Sequence, residues 1–141
     1  MASVLSLPDD NHLMSLPVIV VGHTACGGAS ACYGAATASS FVPGKPVATV
    51  ASLSPNAPLN RWLAPLTNLA AALQLGGLSK AEAVSAVVDE NVKMQVENLC
   101  QSPIIANAWA NGKDVTIHGW VYELHTGKLR DLGVSQNPLA Q

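Results

Sequence analysis

The strongest hydrophobic signal in the chain is an unbroken run, Val18-Ile19-Val20-Val21, preceded by Pro17 and followed by Gly22. Four consecutive β-branched residues without polar alternation predict a strand buried on both faces, as at the centre of a parallel sheet. From Cys26 to Ser40 the sequence turns to Ala, Gly and Ser. Small residues there predict a short helix lying close on the sheet, although its glycines weaken its own propensity. Phe41 to Pro58 carries Pro43, Gly44, Pro46, Pro55 and Pro58, which predicts loop or short extended structure.

Two longer helices follow. Leu59, Trp62, Leu63, Leu66, Leu69 and Leu73 recur at helical spacing, with Pro65 expected to kink the helix and Gly76-Gly77 to end it. Ser79-Lys80-Ala81-Glu82 is a capping box, in which hydroxyl and carboxylate each satisfy a backbone donor of the first turn. The helix it opens puts Val84, Val88, Val92, Val96 and Leu99 on one stripe, and Pro103 is expected to stop it. Val115, Ile117, Gly119 and Val121 then alternate with Thr116, His118, Trp120 and Tyr122, the period of a strand. A turn at His125-Thr126-Gly127 returns the chain through Lys128-Leu129-Arg130.

These elements predict one α/β domain over residues 1–141. Its parallel sheet core has Val18–Val21 at the centre and the Val115–Arg130 hairpin towards an edge. The Ala/Gly stretch, the Trp62 helix and the Val84–Leu99 helix are expected to cover the faces.

Composition changes this picture in one respect. Hydrophobic residues make up 49 % of the chain and charged residues 11 %, the latter about half of the average for a soluble domain. So sparse a charged surface predicts that part of it is covered, as in a homodimer or larger homo-oligomer. A net charge of −2 with seven Lys and Arg lacks the clustered basic footprint that nucleic acid requires. Leu16 to Gly22 is too short an apolar stretch to span a bilayer. Three cysteines and no secretory pattern at the start point to a reducing cytoplasm. An organelle address is the alternative, if a targeting segment once preceded the chain.

Candidate chemistry sits directly after the first strand. His23 and Cys26 are three apart and precede Gly27-Gly28. An imidazole and a thiolate suit a borderline-soft ion such as zinc, which favours tetrahedral nitrogen and sulfur ligands. The two glycines read equally as backbone approach to a metal or as a plain strand-to-helix turn. Cys32 is six residues past Cys26, about 120° away on a helix, a poor third ligand. Cys100 reads as a small core hydrophobe, and His118 as a sheet residue beside Trp120. His12 and His125 read as solvated turn residues. Asn91, Gln95 and Asn98 read as surface or interface amides.

The segment Val21-Gly22-His23-Thr24-Ala25-Cys26-Gly27-Gly28 resembles the second metal motif of the β-class carbonic anhydrases, His-x-x-Cys-Gly-Gly after a hydrophobic strand. Glu90-Asn91-Val92, Gln95–Leu99 and Ser102-Pro103-Ile104-Ile105 are similar to that family's late helix. His118–Tyr122 with Thr126–Leu129 is similar to its closing hairpin, and Asp131–Gln136 resembles a fungal-type member. The resemblance runs from Pro17 to Gln136. In the family an earlier strand ends in Cys-x-Asp-x-Arg, giving the first zinc thiolate and an Asp–Arg dyad. Here no Cys or Arg precedes His23, and Asp9 and Asp10 lie in a polar turn. The resemblance thus implies a chain lacking that N-terminal part, with no dyad residue to assign.

What the resemblance implies for function is zinc-dependent, reversible hydration of carbon dioxide to bicarbonate and a proton. His23 and Cys26 match the family's second and third zinc ligands. A further ligand would come from Asp9, Asp10, His12 or a neighbouring chain, and metal affinity and activity of this chain alone are expected to be low. Two other readings stand beside it: a non-catalytic remnant that acts as a dimer partner, and a related zinc hydrolase of carbonyl sulfide.

Overall fold

The computed structural model describes residues 16–138. In chain order the elements are β1 Leu16–His23, α1 Gly27–Ala36, α2 Pro58–Ala72, α3 Lys80–Cys100, α4 Pro103–Ala110, β2 Val115–Glu123 and β3 Lys128–Asp131. β1 pairs parallel with β2, from Leu16 opposite Val115 to His23 opposite Tyr122. β3 returns antiparallel beside β2, from Trp120 opposite Asp131 to Glu123 opposite Lys128. The chain after β3 stays alongside β2, where Ile117 and Gln136 exchange two backbone hydrogen bonds of 2.8 Å. The expected α/β architecture, with a parallel strand pair, covering helices and a hairpin at the edge, is what forms.

The placement of the first strand differs from the expectation. The order β1-β2-β3 puts β2 in the centre and β1 at an edge of the sheet, among the described residues. β1 is also not buried on both faces: its residues alternate between half-buried and exposed, with Ile19 at 40 % and Val21 at 52 % exposure. A β-branched run looks the same in sequence whether one face is covered or two. Only the face bearing Val18, Val20 and Gly22 meets the helical layer here. β2 is the strand whose inner residues Val115, Ile117 and Val121 are fully packed.

The helical layer rests on the sheet through α3. Its residues Ala83, Val84, Val87, Val88, Val92 and Val96 are buried, the stripe that the spacing predicts, with Leu99 partly buried at its end. Two glycines on adjacent strands make room for it. A β-carbon added to Gly22 would lie 2.6 Å from Val92 Cγ2 and 3.2 Å from Val88 Cγ1. One added to Gly119 would lie 2.7 Å from Val134 Cγ2 and 3.1 Å from both Val92 Cγ1 and Val96 Cγ2. The capping box is formed: Ser79 Oγ accepts from Glu82 N–H, and Glu82 Oε2 accepts from Ser79 N–H at 2.9 Å. Arg130 on β3 forks onto Asp89 of α3 at 3.1 and 2.9 Å, so the hairpin is tied to the same helix.

α2 keeps part of the stripe its leucines suggest, with Leu63 buried and Leu66 and Leu73 packed against the core, and departs from it in the first turns. Trp62 is 75 % exposed and Leu59 is exposed, while Asn60, Leu63, Thr67 and Ala70 face inward. Two of those four are polar, and each has partners in the preceding loop. Asn60 accepts from Val50 N–H at 2.8 Å and donates to Ser54 C=O at 2.9 Å. Thr67 and Thr49 hydroxyls meet at 2.8 Å. The helix thus turns its amide and hydroxyl towards the loop, where Asn60 satisfies loop backbone and Thr67 pairs with the Thr49 hydroxyl, as leucine could not. α2 runs through Pro65 and stops at Ala72, ahead of Gly76-Gly77, with Gln74 in the left-handed region at φ 49°. Pro103 ends α3 as expected, but it also opens α4, capped by Ser102. Proline is well suited to a first helical position because its missing N–H is unpaired there anyway.

Gly22→Ala and Gly119→Ala are each expected to lower stability by about 1–3 kcal/mol through overpacking. The double variant should depart from additivity, because both added methyls press on Val92. Urea denaturation checks this; losses below about 0.5 kcal/mol for both would contradict the packing account. The Ser79 hydroxyl and backbone also hold the Glu82 carboxyl below its usual range. A lowered folded-state value stabilises above the unfolded carboxylate pKa of about 4.3 and ceases to do so as pH falls through the folded value. Wild-type stability should therefore fall more steeply through this window than that of Glu82→Gln.

Candidate metal centre

The link from β1 to α1 is short, and β2 holds it in place. Thr24 N–H donates to Tyr122 C=O at 3.0 Å, continuing the β1–β2 ladder past the strand. Thr24 Oγ1 accepts from Leu124 N–H, also at 3.0 Å. Ala25 then takes φ 54°, a left-handed backbone that a residue with a β-carbon adopts only under tertiary constraint. Cys26 is the N-cap of α1 and makes no side-chain capping bond; its carbonyl accepts from Ser30 N–H at 3.0 Å. The two candidate donors thus flank one strained residue in a turn clasped at Thr24.

His23 is exposed at the end of β1, and its Nδ1 lies 3.0 Å from the Thr24 carbonyl oxygen. A carbonyl can only accept, so the bond requires the proton on Nδ1. In the neutral ring that leaves the Nε2 lone pair free. A carbonyl bonded to the far ring nitrogen is the usual outer support of a metal-binding histidine. Cys26 is a free thiol, half-buried against the cluster formed by Ala29, Val88 and Val92. A β-carbon on Gly28 would stand in ordinary contact with Cys26 Sγ at 3.8 Å, and one on Gly27 would meet nothing. Neither glycine is required by contact with the surrounding protein atoms.

The donors fit zinc in kind and fall short in number. Among the described residues no three His, Cys, Asp or Glu side chains converge on a point that could hold a metal ion. Asp9, Asp10 and His12, the further ligands suggested by the sequence, lie outside the described residues. Cys32 is fully buried on α1, and burial pushes its thiol up, with Cys26 adding to the rise and a hydrogen bond with Thr67 opposing it. It stays a protonated, packed thiol, as its angular offset suggests. Cys100 is half-buried and likewise pushed up by burial. His118 Nδ1 meets Ser135 Oγ at 2.8 Å, and its ring lies 5.9 Å from that of Trp120, a sheet residue beside an aromatic. His125 is exposed in the turn before β3. Asn91, Gln95 and Asn98 join side chain to side chain at 3.4 Å along α3. Thr24 and Ala25 were not singled out by sequence reasoning, since their roles arise from pairing with β2.

Comparison with known proteins converges on one family. The carbonic anhydrase family model matches residues 11–129. The fold is similar to that of a Coccomyxa β-carbonic anhydrase solved with acetazolamide, with a TM-score of 0.64 and 31 % identity over 86 % of this chain and 49 % of that one. It is also similar to one of two tetrameric β-carbonic anhydrases of the ascomycete Sordaria macrospora, with a TM-score of 0.61, 25 % identity and coverage of 85 % and 53 %. The β-carbonic anhydrase CafA of Aspergillus fumigatus gives 0.61, 27 %, 85 % and 50 %. The chain spans about half the length of these relatives.

The strain at Ala25 is directly testable. Ala25→Gly removes a left-handed penalty of about 1–2 kcal/mol while loosening the unfolded chain by about 0.4–1 kcal/mol, so stability should hold or rise slightly. Ala25→Val should lose at least about 1 kcal/mol, since a β-branched residue tolerates this backbone worst. Thermal denaturation of the two variants checks it, and a valine variant as stable as wild type would contradict the assigned turn.

Proposed function

The chain belongs to the β-carbonic anhydrase family, and on that premise we propose that it carries part of a zinc-dependent site for the reversible hydration of carbon dioxide to bicarbonate and a proton. His23 and Cys26 are the two ligands it contributes. The observation that carries this reading is the His23 Nδ1 contact with the Thr24 carbonyl, which leaves Nε2 as the ring nitrogen free to act as a ligand. The Thr24 clasp to Tyr122 and Leu124 holds the turn between the donors at the end of β2. Cys26, half-buried and without a capping bond, keeps its sulfur free for a metal.

The chemistry that zinc supplies when bound is Lewis-acid activation of water at neutral pH. The remaining ligands would come from outside residues 16–138 or from a second copy of the chain. Self-association is part of this proposal: the Sordaria relatives are described as tetrameric, and the low charge content of this chain points the same way. A second reading, a non-catalytic partner subunit, draws support from the two-donor set among the described residues.

Zinc titration against a chromogenic chelator, paired with stopped-flow carbon dioxide hydration, tests both. The 141-residue chain should bind zinc far more weakly than a closed four-ligand site, and His23→Ala or Cys26→Ala should abolish that binding. Hydration above background that disappears in the same variants supports the enzyme; zinc binding without hydration supports the partner subunit. Zinc binding that survives both substitutions would overturn the site.

A further inference from the structure

We propose that the cavity between α1 and the loop of residues 41–55 binds a small apolar carboxylate, of the class of a medium-chain fatty acid, with its chain along α1 and its charge at Lys45. The cavity has a volume of about 550 Å³, inside the range of about 300–1,000 Å³ over which small-molecule sites fall. One wall is the α1 stripe Ala31, Gly34 and Ala35, continued by Ala38 beyond the helix. These residues recur at the spacing of one helix face, and none reaches past a methyl group. A β-carbon added to Gly34 would meet nothing within 4 Å, so the space beside it is open.

The opposite wall is held in place by bonds that do not involve that stripe's side chains. Asn60 of α2 accepts from Val50 N–H at 2.8 Å, and its Nδ2 lies 3.3, 3.3 and 2.9 Å from the carbonyl oxygens of Val50, Leu53 and Ser54. Thr49, buried, meets the Thr67 hydroxyl at 2.8 Å. At the other end Phe41 N–H donates to Ala38 C=O at 3.0 Å. Gly44, at φ 77°, then carries the chain round so that Lys45 N–H donates to Val42 C=O at 3.2 Å. The wall is anchored at both ends, and the small residues of α1 leave the gap between them unfilled.

The lining selects the ligand. Phe41, Val42, Pro46 and Val47 line the loop side, so an occupant gains chiefly by removing apolar surface from water. Lys45 is the one charged residue of the lining. It is exposed and joins no ion pair among the described residues. No Asp or Glu occurs between Asn11 and Ala81, so neither α1, the loop nor α2 carries a carboxylate to compete for its ammonium group. Ser40 adds a hydroxyl. A cation would be repelled by Lys45, and a polar ligand would leave its groups unpaired against alanine and valine. An apolar chain ending in a carboxylate satisfies both walls and the lysine.

Amide NMR of the 141-residue chain, titrated with decanoate below its micelle concentration and with decanol as the uncharged control, tests the proposal. Decanoate should saturate one site and shift the amides of Ala31–Ala38 and of residues 41–49. Gly34→Leu fills the cavity and should weaken decanoate by about tenfold or more; removing a glycine from a helix favours folding of that variant. Lys45→Gln should weaken decanoate by about two- to fivefold and leave decanol unchanged. Absence of saturable shifts, or shifts centred on Ile19 and Trp120 or on His23 and Cys26, would overturn the site. Undiminished binding by Gly34→Leu would do the same. Decanol bound as tightly as decanoate would overturn the carboxylate assignment. None of these readouts depends on zinc or on hydration activity.

Discussion

The rest of this structure depends on how closely α3 can lie on the sheet. Gly22 and Gly119 sit on neighbouring strands beneath the same valine, Val92, and a β-carbon at either would drive into it. Close packing at two adjacent points fixes the height of the helix over both strands, because neither can move without the other. Gly22 directly precedes His23, so the contact also sets where the chain leaves the sheet and enters the turn that presents the two donors. Arg130, forked onto Asp89, pins the hairpin to the same helix. The site is held from one side by packing and from the other by the Thr24 clasp.

Much of this was legible in the residues. The capping box, the valine stripe of α3, the alternation of β2 and the return through Gly127 all rest on local rules, and all formed. What was not legible depended on partners far along the chain. Val18–Val21 announces a strand but not how many of its faces are covered, and the open face appears only once α3 is placed on the other. The leucines of α2 predict a helix, yet Asn60 and Thr67 decide which side turns inward, because the loop before it has buried groups to satisfy. Pro103 was read as a stop when it is also a start.

The candidate site divides the same way. His23 and Cys26 stand out by residue type and spacing alone. The tautomer of His23 and the strained backbone of Ala25 do not, since both follow from the path the chain takes after pairing with β2. The number of donors was equally a question of space, and among the described residues no three His, Cys, Asp or Glu side chains are placed to hold a metal ion.

The parallel register has a consequence for the order in which the protein is made. Leu16 pairs with Val115 and His23 with Tyr122, so the strand that leads into the candidate donors leaves the ribosome well before its partner. Until then Val18 to Val21 are apolar and lack the strand with which they pair in the fold. Such long-range pairing is slow to form and prone to capture by other chains. Synthesis rate and chaperone supply, rather than equilibrium stability alone, should therefore govern how much of this protein reaches its folded state.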